Sequence, residues 1–173
     1  MFKITSSEPT DFFPLVRLLK LANYQTLDIG GSKVVNNFIS AVADNGDIAG
    51  IVGLETYDYN ALLRSLATDK RYADQGVAET LIQKVENTAI QKGMRKVYAL
   101  AHTVLQPLFK TQGYELVAKD KVPLNIKKTD EYVFFRDIDH ICMLKKTENF
   151  VEADEEFEIY SEQDLHKQKH IDK

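Results

Sequence analysis

The 173 residues are 44% apolar, include no tryptophan, and carry 22 Lys and Arg against 26 Asp and Glu, a formal net charge of −4. That length suits one domain with a real core, at roughly 100 to 200 residues per domain. There is no run of 18 apolar residues, no basic-then-apolar leader and no basic stripe. These absences argue against a membrane span, a secretory signal and a nucleic-acid partner, and the cytoplasm is the expected compartment.

Charge marks a single boundary. From Glu148 to Asp164 there are eight acidic residues and no Lys or Arg; residues 148–173 hold nine acids and three lysines, a net of −6, against +2 for residues 1–147. The expected organisation is therefore one domain over 1–147 and an acidic C-terminal extension over 148–173, solvated or partly disordered. Its Phe150, Phe157, Ile159 and Tyr160 are candidates to lie on the body or on a second copy, so a homodimer stays open.

In chain order, FKITSS reads as a short strand. A helix begins near Pro9, with Phe12, Leu15, Val16, Leu19 and Ala22 on one face. The stretch from Lys33 to Thr68 contains an Asn45-Gly46 turn and a second tight connection around Asp58 to Asn60, which predicts three antiparallel strands. Val77, Leu81, Ile82, Val85, Ala89 and Ile90 form the apolar face of the next helix, with Gly93 as its stop. RKVYALA is a strand, VLQPLFKTQ a shorter helix, GYELVAK a strand, and a last apolar run lies near His140 to Leu144. Cys142, the only cysteine, sits in that run and is expected in the core.

The segment Leu62 to Glu79, LLRSLATDKRYADQGVAE, passes from an apolar strand through a polar turn with one glycine into a helix start. Such a junction leaves several backbone N–H groups aimed at one point, where the helix dipole also favours negative charge. It reads either as a cradle for an anionic phosphate ligand or as an ordinary junction capped by Asp74. Arg64 lies within the strand. A guanidinium buried there needs an anionic or carbonyl partner, and the two readings are a salt bridge to Glu55 across the hairpin or a bidentate contact to a substrate carboxylate.

With Ala73, Gly76 and Ala78 on its three key positions, this loop resembles the acetyl-CoA signature Q/R-x-x-G-x-G/A of the GNAT acetyltransferases, two positions of three matching. The resemblance runs over about residues 1–147 and includes ALLRSLAT, KGMRKVYALAHT and PLFKTQGYELVAKDKVPLNIKKTDEY. These look like the branch of amino-acid N-acetyltransferases and arsenic-operon acetyltransferases. It implies an α/β (α+β) fold with a mixed, mostly antiparallel sheet flanked by helices and splayed at its fourth and fifth strands. It also implies acetyl-CoA as co-substrate, a small-molecule amine as acceptor, direct acetyl transfer and no metal.

On the same resemblance, Leu66, Ala67 and Thr68 face the pantetheine arm with Phe109, and the loop Ala73, Asp74, Gln75, Gly76, Val77, Ala78 and Glu79 faces the pyrophosphate. Arg64 and Ser65 line an amino-acid pocket. Glu55, acting through water, is the first candidate base and His102, at the end of the VYALA strand, the second. The family's Arg or Gln is replaced by Ala73, its following Gly by Asp74, and its helix Tyr by Phe109; Lys70 and Arg71 are available to offset Asp74. Those replacements carry a second reading, a GNAT-fold binding or regulatory module.

Overall fold

The computed structural model describes residues 1–24, 26, 37–135 and 139–152. Strand β1, Lys3–Ser6, is followed by a 3-10 turn at Pro9–Asp11 and helix α1, Phe12–Leu21. Glu8 and Asp11 start that turn reciprocally, the Glu8 N–H donating to Asp11 Oδ2 at 2.8 Å. The expected three strands are β2, Phe38–Val42, β3, Ile48–Tyr57, and β4, Asn60–Thr68. Helix α2, Val77–Gln91, ends before Gly93, whose φ of +74° is the left-handed stop the sequence implies. Strand β5, Lys96–His102, helix α3, Gln106–Thr111, and strand β6, Glu115–Val117, follow.

Two short helices come next that periodicity did not reveal, α4 at Leu124–Lys127 and α5 at Asp130–Phe135, and then β7, His140–Lys146. Helix α5 has a local cause: Thr129 Oγ1 accepts the Tyr132 N–H at 3.2 Å, and Asp130 and Glu131 fill the first turn.

The sheet order is β1-β2-β3-β4-β5-β7-β6, with β7 inserted between β5 and β6. β4 and β5 run parallel and every other described pair is antiparallel. Asn60–Leu63 pairs with Lys96–Ala99, after which the two strands part, although β4 continues to Thr68 and β5 to His102. The mixed, mostly antiparallel sheet with a splay at its fourth and fifth strands is thus present.

One face of the sheet is covered by α2, whose Val77, Leu81, Ile82 and Val85 pack with Leu63, Leu66 and Phe109. The other face carries two separate apolar clusters. Leu15, Leu18, Leu19, Tyr24 and Phe38 gather with Ile51 and Ala67, while Val122, Ile126 and Cys142 gather with Leu62, Tyr98 and Leu100. Arg64 lies between Leu62 and Ala67 on that face.

A bulge creates this placement. Ile51 faces Ala67 and Gly53 faces Arg64, so Val52 alone opposes Ser65 and Leu66, and Ser65 takes a φ of +55°. Strict alternation would set Leu66 on the face of Leu62 and Arg64. The bulge instead turns Leu66 to the α2 side and leaves Arg64 and Ser65 as neighbours on one face.

The start of the acidic extension is held to the body. Thr147 Oγ1 donates to Met94 O at 2.7 Å, Asn149 Nδ2 to Ile90 O at 3.0 Å, and the Phe150 ring lies 4.2 Å from Lys146 Nζ. Phe157, Ile159 and Tyr160 lie outside the described residues, as does the chain from 153 onward.

Candidate active site

Helix α2 starts at Gly76, in the left-handed region at φ +73°. Its first backbone bond runs from Thr80 N–H to Gly76 O at 3.1 Å, so the N–H groups of Val77, Ala78 and Glu79 belong to the turn that has no intrahelical acceptors. A Cβ built on Gly76 meets nothing within 4 Å. The space beside Gly76 is therefore open, as close approach of a ligand to that stretch of backbone requires. Ala73, Asp74 and Gln75 are exposed along the loop.

Asp74 does not cap α2, which has no side-chain cap bond. The acid that shapes the loop is Asp69, which takes the Arg71 N–H at 2.9 Å and Arg71 Nη2 at 2.8 Å. These contacts hold its carboxyl down at about 2. Arg71 also reaches Asp47 Oδ2 at 2.7 Å, in the turn between β2 and β3. It is thus committed to Asp69 and Asp47, and the offset to Asp74 expected of Arg71 is not what its side chain does.

The helix seat is tight from below. A Cβ on Gly50 of β3 would stand 2.6 Å from Val77 Cγ1 and 3.1 Å from both Ala67 O and Leu81 Cδ1. Leu66, Ala67 and Thr68 lie on the part of β4 that β5 has left, so one edge of their backbone faces the splay rather than a strand. Phe109 is elsewhere. It is fully buried against Tyr114, ring centroids 5.2 Å apart, and offers no surface to a ligand arm.

Arg64 is 3% exposed and meets two carboxylates. Its Nε lies 2.7 Å from Glu55 Oε1 and its Nη1 3.1 Å from Glu131 Oε2. The Glu55 bridge is diagonal, since Arg64 faces Gly53 and Glu55 faces Leu62 in the register. Glu131 comes from α5, and its other oxygen accepts Ser65 Oγ at 3.0 Å. Glu55 in turn accepts the Tyr57 hydroxyl; burial first, then this bond, keeps the phenol well above its ordinary pKa.

These groups border a cleft of about 400 Å³ lined by Glu55, Tyr57, Arg64, Lys128, Asp130 and Glu131, with Asn37, Asn125 and Thr129. His102 is at the splayed end of β5, its ring 5.0 Å from that of Tyr24. Tyr24 is buried, and burial and then the charge of Glu131 raise its pKa. Tyr24 and Glu131 were not among the residues the sequence singled out; the signal for Glu131 was the Thr-Asp-Glu helix start, read only as part of a family spacing. Cys142 is in the core, its thiol pushed up to about 12 by burial. Among the described residues no group of three or more His, Cys, Asp or Glu is arranged to hold a metal ion. No helix there is long and apolar enough to cross a membrane.

An uncharacterised N-acetyltransferase of Chlorobaculum tepidum is 27% identical over 99 residues, 53% of this chain and 63% of that relative. The N-acetylglutamate synthase of Neisseria gonorrhoeae, solved with coenzyme A and N-acetyl-glutamate, superposes with a TM-score of 0.74 at 16% identity, over 84% of this chain and 35% of the synthase. A GNAT acetyltransferase of Staphylococcus aureus Mu50 gives 0.69 at 16% identity, over 84% of this chain and 99% of that one. The chain thus spans less than two thirds of the curated relative and about a third of the synthase, and the solved structures speak to the fold alone. The Acetyltransferase (GNAT) family profile matches residues 6–114, more than half of the length. With the splayed strands and the glycine-started helix already in view, that match makes this chain a member of the GNAT acetyltransferase family.

Proposed function

We propose that the protein is an acetyl-CoA-dependent N-acetyltransferase acting on a small amino acid or another carboxylate-bearing amine. The observation that carries the reading is the junction of two features: a β4 edge that β5 leaves at the splay and, a few residues on, a helix start whose first N–H groups have no intrahelical acceptors, beside an unobstructed Gly76. A thioester arm lies along the first while its pyrophosphate rests on the amides of residues 76–79. Acetyl-CoA supplies the activated acetyl group; the chain's own work is positioning and proton transfer.

Glu55 borders the acceptor cleft and takes the ammonium proton through a water molecule, with Arg64 and Tyr57 fixing its orientation. The freed amine attacks the thioester carbonyl, the nitrogen–carbon bond forming as the carbon–sulfur bond breaks; the acetylated nitrogen then loses its second proton to solvent, and the departing thiolate takes one up from solvent. His102, at the end of β5, is the second candidate base.

The test is a thermal-shift series with acetyl-CoA, CoA and a set of amino acids, read beside release of free CoA thiol. A ligand at 100 times its Kd stabilises by about 2.7 kcal/mol. For a chain of this size that raises Tm by about 5–10 °C. A shift with acetyl-CoA but no thiol release with any amine makes the protein a binding or regulatory module; no shift with either CoA species removes the cofactor site.

A further inference from the structure

The Arg64–Ser65 pair is built as a carboxylate receptor, and a carboxylate is already in it. Glu131 sets one oxygen on Arg64 Nη1 at 3.1 Å and the other on Ser65 Oγ at 3.0 Å, the two-point contact a free carboxylate would make. The bulge at Ser65, with its left-handed φ of +55°, is what brings two consecutive side chains to one face for that contact. Resting on the transferase reading above, we propose that an amino-acid acceptor docks by carboxylate exchange: its carboxylate replaces Glu131 on Arg64 and Ser65, and its ammonium comes to Glu55.

Charge balance favours the exchange over simple addition. Among the described residues in contact, Arg64 carries one positive charge against the two carboxylates Glu55 and Glu131, so a third carboxylate added to these three groups would meet net repulsion. A zwitterion that displaces Glu131 keeps the number of carboxylates on Arg64 constant and brings an ammonium, which offsets the excess negative charge. The displaced side chain has somewhere to go. Lys128, exposed on the wall of the same cleft, is three residues before Glu131, and Glu131 stays in the first turn of α5, where negative charge is favoured in any rotamer.

Helix α5 itself need not move. Tyr132 packs on one of the apolar clusters flanking Arg64 and Phe134 on the other, so a rotation of the Glu131 side chain suffices. The cleft, at about 400 Å³, lies at the small end of the range for ligand pockets, roughly 300–1,000 Å³, which suits an amino acid better than a larger acceptor. Glu131 is on this account a specificity-determining residue, an internal carboxylate that every acceptor carboxylate must outcompete.

The experiment compares kcat/KM for L-alanine, L-leucine and L-lysine with that for ethylamine, isoamylamine and cadaverine, in the wild-type protein and in Glu131→Gln. Exchange predicts that the amino-acid partner of the best pair is preferred. It further predicts that Glu131→Gln increases that preference about tenfold, through a lower KM for the amino acid, while the KM of the decarboxylated amine does not fall. Glu131→Asp keeps the charge but withdraws the carboxylate by one methylene, and it shifts the ratio the same way, so a Glu131→Gln chain that fails to fold leaves the decision to Asp. Acetyl transfer with an unchanged or reduced ratio in the folded variants overturns the exchange and leaves the transferase reading standing. No transfer to any of the six acceptors overturns that reading, and the exchange with it.

Discussion

Gly50→Ala joins the packing of this fold to the proposed cofactor site in one substitution. Gly50 lies in the middle of the sheet on β3, directly beneath the first turn of α2, and its backbone has no positive φ that would bar an alanine. The added methyl would stand 2.6 Å from Val77 Cγ1 and 3.1 Å from the Ala67 carbonyl and Leu81 Cδ1. Val77 and Leu81 are both fully buried and have little room to turn away, so the first turn of α2 is pushed off the sheet, while the Ala67 carbonyl on β4 must give by a few tenths of an ångström. Overpacking of this kind costs about 1–3 kcal/mol. Loss of glycine's freedom in the unfolded chain offsets roughly 0.4–1 kcal/mol.

The net, about 1–2 kcal/mol in the middle of those ranges, corresponds to a fall in Tm of about 2–8 °C for a chain of this length. Val77 is also the first residue of the helix whose amides are to meet the pyrophosphate, so the same displacement weakens acetyl-CoA, by about three- to tenfold if one hydrogen bond is degraded. Differential scanning fluorimetry of the ligand-free chain and titration calorimetry with acetyl-CoA read the two effects separately. A variant with unchanged Tm and unchanged affinity would refute both the seating of α2 on Gly50 and its link to the cradle.

Gly76→Val adds a side chain over the helix start at φ +73°; calorimetry is expected to find acetyl-CoA binding abolished, and unchanged affinity in the folded variant removes this cradle, while Ala73→Arg is expected to tighten binding. Arg64→Lys keeps the charge but cannot reach Glu55 and Glu131 with a planar fork; a stability loss of about 1–3 kcal/mol is expected together with a raised amino-acid KM, and loss of stability alone would assign Arg64 a structural role only. Asp69 has a folded pKa depressed to about 2 from 3.8, so its contribution is complete above pH 4 and is lost as pH falls from there toward 2. The gap in urea midpoint between the wild type and Asp69→Asn should accordingly narrow over that window, and a constant gap would mean that the Asp69–Arg71 contact does not carry the shift.

Much of this protein is legible from local chemistry. The Asn45-Gly46 and Asp58 turns, the apolar face from Val77 to Ile90 and the glycine at 93 each specify an element through steric and periodic rules that act within a few residues, and the strands and helices stand where those rules put them. The junction proposed as the phosphate cradle was visible for the same reason: a strand, a short polar loop with Gly76 and a helix start form one contiguous stretch. The tertiary structure alone decided which residues meet across distance. Strand β7 enters between β5 and β6, α5 brings Glu131 to Arg64 from 67 residues away, and the bulge at Ser65 reverses the alternation so that Leu66 turns to the α2 side. Phe109 closes into the core where a ligand wall was expected, and Arg71 turns to Asp69 and Asp47. The physical reason is common to all of these. Local propensity and period depend on neighbours in sequence, whereas a buried charge takes as partner whichever opposite charge the packing of separate elements brings within about 3 Å, and no spacing in the chain encodes that distance.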